Sequence, residues 1–521
     1  MDGRPDTGSQ ETCPDQTVFI VRDVDGQWPR GRGVDAKSRR AGVRGLIVAS
    51  KPGNSGGAKG TRKMEGAMTT HSEDRPATVP LAKQAGDARS RWSWVEPCAW
   101  TDRMLAALEQ GVKGDKWFGL SDKVFSERNL LAAFQRVASK DGAPGVDHVT
   151  VTEVERQRPE AIWELSDRLK DRTYRPQDIR RVHIPKPGTN ETRPLAPVLF
   201  LGPTVRDRIV QGAVVNVIEP IFERDFAEHS YGFRPGRGCK DALRRVDQLV
   251  KQGHVHVVDA DLKGYFDTIP HDRLMDRLKE KVSDGSLLSL IESFLKANIL
   301  DGTDRWTPEA GAPQGAVLSP LLSNIYLNPL DHLMAVAGFE MVRYADDFVI
   351  LCRTAVAASQ ALALVQRWVG ENGLVLHPTK TKIADVRTDG FDFLALSFPL
   401  ADRHFQDQRH WPRKKSLDKL KDTLRVKTPR NSGQSLHRVI ANVNQTLVGW
   451  FGYFQHSRPW IFGRLDQWLR GRLRSLLRRH HHQRGVARGS DHQRWPNRFF
   501  AEQGLFSLKM AHASVVQFSR R

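Results

Sequence analysis

Tyr344-Ala345-Asp346-Asp347 lies between two apolar runs, Phe339 to Val342 on one side and Phe348-Val349-Ile350-Leu351 on the other. Apolar runs flanking so short a polar step predict a β-hairpin, whose tip then carries two adjacent carboxylates. Adjacent aspartates repel each other and oppose folding unless a cation neutralises them, and hard carboxylate oxygens suit Mg²⁺. Alone, the pair would read as solvated turn residues. The flanking strands and a third carboxylate upstream turn the reading toward a metal site.

That third carboxylate closes Val255-His256-Val257-Val258-Asp259-Ala260-Asp261, whose first half has the β-branched character of a buried strand. Leu262-Lys263-Gly264-Tyr265-Phe266-Asp267 follows, and then a helical pattern from His271 to Lys281. The two acidic strand ends are expected to converge on one metal cluster. Two Mg²⁺ ions about 3.5–4 Å apart between such carboxylates activate a 3′-hydroxyl and stabilise a leaving pyrophosphate, as nucleotide polymerisation requires.

From roughly Trp92 to the C-terminus the chain resembles the group II intron-encoded reverse transcriptase/maturases, of the bacterial type without a C-terminal HNH endonuclease. The family's tetrapeptide at the polymerase hairpin matches Tyr344 to Asp347, and its palm-strand block matches Asp261 to Phe266. The resemblance implies that Asp261, Asp346 and Asp347 are the catalytic metal ligands, helped by the backbone carbonyl of Leu262. Asp259 and Asp267 are second choices. Asp259 shares a strand face with Asp261 by period-two counting but lies one step further from the strand end.

The remaining motifs fall in the order of a right-hand polymerase. Lys186 and Arg193 lie across a Gly-containing turn in Ile184-Pro185-Lys186-Pro187-Gly188 to Arg193-Pro194-Leu195. The family pattern sets them on the triphosphate of the incoming nucleotide, where an ammonium and a planar guanidinium offset phosphate charge. Without that context the segment is an ordinary basic hairpin. Pro313-Gln314-Gly315-Ala316-Val317-Leu318-Ser319-Pro320 reads as a helix start after a Gly/Pro turn. In the family its Gln314 and Gly315 line the nucleotide and template pocket, glycine letting a base approach the backbone.

Phe266 follows Asp261 where the family carries a ring under the sugar, which would exclude a 2′-hydroxyl; core packing is its competing reading. Lys380, in His377-Pro378-Thr379-Lys380-Thr381-Lys382, resembles the lysine motif after the palm helix. It is expected to protonate the leaving pyrophosphate or to contact a phosphate. Gly390-Phe391-Asp392-Phe393-Leu394 resembles the strand that grips the primer, with Ala395 where the family usually has glycine. Ser230-Tyr231-Gly232-Phe233-Arg234-Pro235-Gly236-Arg237-Gly238 matches the fingers motif, and Arg234 and Arg237 are expected on template phosphates. One departure from the family is an apolar insertion at 196–202, beside the expected nucleotide contacts.

Charge is distributed very unevenly. Residues 401–521 hold 25 Lys and Arg against 7 Asp and Glu, a net charge of +18 out of +20 for the whole chain. So local an excess is the footprint of a polyanion-binding surface whose affinity falls with salt. Leu465, Trp468, Leu469, Leu473, Leu476 and Leu477 have helical spacing and predict a core stripe. Arg470, Arg474 and Arg478, with Arg464, Arg472 and Arg479, are expected on the opposite, RNA-binding face. The segment also resembles the family's thumb, domain X, and its maturase-specific region, at Leu447-Val448-Gly449-Trp450-Phe451-Gly452-Tyr453-Phe454 and at Arg494-Trp495 to Leu508. Trp450 and Tyr453 read as thumb core, with base stacking as the alternative. His480-His481-His482 lacks spaced partners for a metal and reads as a helix end adjoining RNA.

Cys13, Cys98, Cys239 and Cys352 form no CxxC pair, which suits a reducing interior such as the bacterial cytoplasm. No apolar run is long enough for a membrane span and no signal peptide is seen. The expected fold is α+β: fingers and an antiparallel palm sheet over 91–400, then an α-helical thumb and maturase region over 401–521. Residues 1–90, rich in Gly, Ser, Arg and Asp, are expected to be a disordered extension, and Met64 and Met68 are alternative starts. Helices are expected at Asp102 to Leu108 and Ser126 to Ala138, with a tight loop over Asp141 to Asp147. The resemblance implies RNA-directed DNA synthesis with two Mg²⁺ ions, and assistance to intron splicing. The implied partners are group II intron RNA, a DNA target or primer, and deoxynucleoside triphosphates. The rivals are a splicing-only maturase with a relic polymerase fold and a retron, defence or diversity-generating reverse transcriptase.

Overall fold

Asp347-Phe348-Val349-Ile350-Leu351-Cys352 is apolar after its first residue because it lies inside a sheet covered on both faces. In the computed structural model, which describes residues 89–185, 192–195, 202–398, 411–431, 433–483 and 489–519, this strand belongs to a four-stranded antiparallel sheet. The spatial order is Glu340–Tyr344, Asp347–Cys352, His256–Asp261, Lys382–Asp385. Side chains alternate between faces with period two. Val258, Ala260, Phe348 and Ile350 join the main core under the helices Val205–Glu223, Ser319–Val336 and Ala355–Glu371. Val257, Val342, Val349, Leu351 and Ala384 join a second core with the helix Cys239–Lys251 and Phe391, Phe393 and Phe398.

The expected hairpin forms with a two-residue loop. Tyr344 pairs with Asp347, leaving Ala345 and Asp346 at the tip. The expected helices form at Asp102–Gln110, at Glu127–Ala138 behind Ser126, and at His271–Lys281. Neither helix nor strand occurs over 141–147. The helix expected within 313–320 begins at Ser319, after a turn that holds Gln314 and Gly315. Gly315 takes φ +91°, which a helix start does not allow, and Pro320 in the first turn supplies the pre-set backbone instead.

After residue 411 the described chain is almost wholly helical. Lys414–Lys427, Leu436–Phe454 and Pro459–His480 share a third core of Leu424, Val443, Leu447, Phe462, Leu469 and Leu473, closed by Trp495, Phe500 and Leu508 from the last segment. Trp450 packs against both this core and the second one. The Tyr453 hydroxyl donates to the Leu394 carbonyl at 2.7 Å. Both therefore act as packing residues, as their helical spacing suggests. The extension at 1–88, Lys186 and most of the insertion (196–201) lie outside the described residues.

Candidate active site

Sheet register brings the acidic side chains together. Asp261, last in its strand, pairs directly with Asp347, first in the next. Asp259 lies on the same face, opposite Val349 on one side and Lys382 on the other. Asp346 occupies the hairpin loop beside Asp347. Two acidic strand ends thus meet across one ladder, as their sequence positions require.

Electrostatics on this face is unbalanced. Burial first, and then the charges of Asp259, Asp346 and Asp261, push the Asp347 carboxyl up to about 7 against the opposing pull of Arg413. Asp259 is raised to about 6, again by burial first, with Lys382 opposing. Carboxylates so placed favour a divalent cation, and their hard oxygens are the donors Mg²⁺ takes. Among the described residues, however, no three His, Cys, Asp or Glu side chains close into a ready ligand set. Asp261 is turned to the Lys380 ammonium, 2.7 Å from its Oδ2. The donor set fits the ion while one of its members is held by a lysine.

The other residues expected at the site fall into three groups. Asp261 and its neighbours form one: the Asp261 carbonyl accepts from His377 N at 2.7 Å and Lys263 N donates to Val375, so the bridge between Leu262 and Leu376 does not use the Leu262 carbonyl. Asp267 is brought elsewhere, to Arg181 at 3.7 Å. Phe266 forms the second group; it is half-buried, edge-on to Tyr265, and partly packed on the main core. Its carbonyl accepts from Ala312 N at 2.7 Å, two residues before Gln314. The third group is Arg193, whose backbone lies in the strand Thr192–Leu195 opposite Ile184.

A buried network that sequence reasoning missed holds the hairpin from behind. Arg343 is fully buried, and its guanidinium donates to both oxygens of Asp331 at 2.5–3.0 Å, to Asn324 Oδ1 at 2.9 Å and to the Ala345 carbonyl at 2.9 Å. Asn324 in turn donates to the Gly232 carbonyl at 2.8 Å. A Cβ on Gly232 would stand 2.1 Å from Ala345 N, so only glycine allows this segment to lie against the loop. The signal available in the sequence was Asp331 itself, the lone acid of the helix Ser319–Val336 and on its buried side.

Three arginines expected on nucleic acid are instead part of the fold. Arg234 is buried, bound to Glu223 at 2.7–3.0 Å and to the carbonyls of Ala227 and Ser230. Arg474 is buried against the Trp495 carbonyl and Asn497, each at 2.9 Å, and Arg478 pairs with buried Asp491 at 3.0 Å. The helix Pro459–His480 is covered on nearly every side near its C-terminus because the segment after it folds back, so arginines opposite the leucine stripe are buried too. Arg237 donates to the Glu228 carbonyl over the Tyr231 ring, and Arg470 lies 3.9 Å from Asp466. Among the described residues after 411 the exposed cations are Lys414, Lys415, Lys419, Arg425, Arg430, Arg438, Arg464, Arg479, Arg494, Arg498 and Lys509. His480, His481 and His482 are exposed as well.

Residues 184–398 match the reverse transcriptase (RNA-dependent DNA polymerase) family, and residues 417–495 match the group II intron maturase-specific domain. Protein YkfC of Escherichia coli strain K12 is 36% identical over 315 residues, 52% of this chain and 81% of that protein. The group II intron-encoded protein LtrA of Lactococcus lactis subsp. cremoris is 40% identical over 172 residues, 33% of this chain and only 28% of LtrA. A chain of a solved partial Cas6-RT-Cas1–Cas2 complex matches at 26% identity and TM-score 0.32, over 48% of this chain and 42% of that one; so low a score carries no argument. The chain belongs to the group II intron-encoded reverse transcriptase/maturases. Its polymerase chemistry is RNA-directed DNA synthesis. No described helix is long and apolar enough to cross a membrane.

Proposed function

We propose that Asp261, Asp346 and Asp347 hold two Mg²⁺ ions and that the chain extends a DNA primer on group II intron RNA with deoxynucleoside triphosphates. The observation that carries this reading is the direct cross-strand pairing of Asp261 with Asp347 at the hairpin tip. When bound, the two ions supply the charge neutralisation and 3′-hydroxyl activation of an in-line phosphoryl transfer. Phe266 limits the space under the sugar and favours a deoxynucleotide, and Gln314 and Gly315 line the nucleotide and template pocket. Lys380 releases Asp261 and donates a proton to the departing pyrophosphate. Lys186 and Arg193 bind the triphosphate.

The division of labour follows the two regions: synthesis in residues 91–400, intron RNA binding in 401–521. The binding surface is the exposed set on the helices Lys414–Lys427 and Leu436–Phe454, joined by Arg464 and Arg470, rather than the buried Arg474 and Arg478. Such a protein works in the bacterial cytoplasm, where intron transcript and DNA target meet. Extension of oligo(dT) on poly(rA), beside a splicing assay on the cognate intron, tests this reading. Asp346→Ala should abolish extension and leave splicing intact; extension by that variant near the wild-type rate would refute the assignment.

A further inference from the structure

Phe233 has three properties that packing does not explain. Its ring is 40% exposed. Its φ is +59°, in the left-handed region that bulky side chains avoid. Its neighbours on both sides are fixed: Gly232 lies against the Ala345 backbone with its carbonyl held by Asn324, and Arg234 is locked on Glu223 and the Ser230 carbonyl. A backbone so over-determined keeps a strained residue in place, and strain of this kind concentrates where a ligand is held. The ring centroid stands 6.5 Å from that of Tyr344, the residue that opens the loop bearing Asp346. An aromatic face is therefore held outward beside the polymerase carboxylates.

We propose that the Phe233 ring is a stacking platform for a nucleobase at the primer–template terminus. Every base presents a π-face, so such a contact tolerates any sequence, which a copying enzyme needs. The inference rests on the palm tip being the polymerase site.

The test uses the full chain and a DNA primer annealed to an RNA template, with 2-aminopurine either at the templating position or at the primer 3′ end. Stacking on Phe233 quenches the fluorophore when the duplex binds. Phe233→Gly removes the ring and relaxes the backbone. It should weaken duplex binding roughly ten-fold or more and abolish quenching at one of the two positions, which identifies the base, with no fall in the thermal unfolding midpoint. Phe233→Trp should retain both. Unchanged binding and quenching in Phe233→Gly would overturn the proposal, and so would a lowered unfolding midpoint, which would assign the ring to packing. Because the readout is binding, a wild-type chain that extends primers beside an unaffected Phe233→Gly sinks this inference alone, whereas a wild-type chain without extension sinks the polymerase reading.

Discussion

The palm and the thumb treat like charges in opposite ways. At the palm tip Asp259, Asp261 and Asp347 share one sheet face with Asp346 in the adjoining loop, and burial together with mutual repulsion holds the Asp347 carboxyl up at about 7. In the thumb, arginines that look free in the sequence are taken up inside the fold, Arg478 by the Asp491 carboxylate and Arg474 by hydrogen bonds to the Trp495 carbonyl and Asn497. Carboxylates gathered so closely that they raise one another's affinity for protons suit a divalent cation, whereas cations dispersed onto acceptors within the fold are architecture. The palm also uses such architecture, since Arg343 and Asp331 are its buried pair beneath the hairpin.

The comparison breaks first if the thumb arginines are not structural. Removing one member of a buried pair leaves an uncompensated charge, so Asp491→Ala should cost about 3–5 kcal/mol, read by urea denaturation of the full chain. Unchanged stability would return Arg478 to the RNA. Next in size is the palm support. Gly232→Ala forces a Cβ into the Ala345 backbone, and the resulting shift of the loop should lower the rate of single-nucleotide incorporation about 100-fold, with duplex binding much less affected. Wild-type rates would mean that the loop needs no backing.

Smaller effects sharpen the contrast. Lys415→Ala combined with Lys419→Ala removes two exposed cations and should make intron RNA binding less sensitive to salt, the log–log slope falling by about one unit for each phosphate no longer neutralised, without a change in unfolding midpoint. A steep, unaltered slope would move the binding face elsewhere. The smallest concerns the Leu394-Ala395 loop, where both residues take positive φ, +47° and +65°. Ala395 stands where the family usually has glycine, so Ala395→Gly should stabilise the chain by roughly 0.5–1 kcal/mol in thermal unfolding.

The hairpin, the Asp261 strand and the helix His271–Lys281 are legible in the sequence because each is encoded by a local period of apolar residues. The pairing of Asp261 with Asp347 follows once the two strands are recognised as neighbours. What stays hidden depends on residues distant along the chain. Arg343 meets Asp331 and Asn324 on another element, and Arg478 meets Asp491 only because the segment after its helix turns back. The helix that begins at Ser319 is announced by Pro320, which marks the first turn without saying how far upstream irregular backbone persists. Phe233 looks like one more aromatic in a glycine-rich motif, since neither its positive φ nor its exposure has a local signature.

The account turns on the palm carboxylates, and primer extension by Asp347→Asn across a Mg²⁺ titration, beside binding of the same primer–template, tests it most directly. The variant should bind the duplex within a few-fold of wild type and add no nucleotide at any Mg²⁺ concentration. Extension within ten-fold of the wild-type rate would contradict the account.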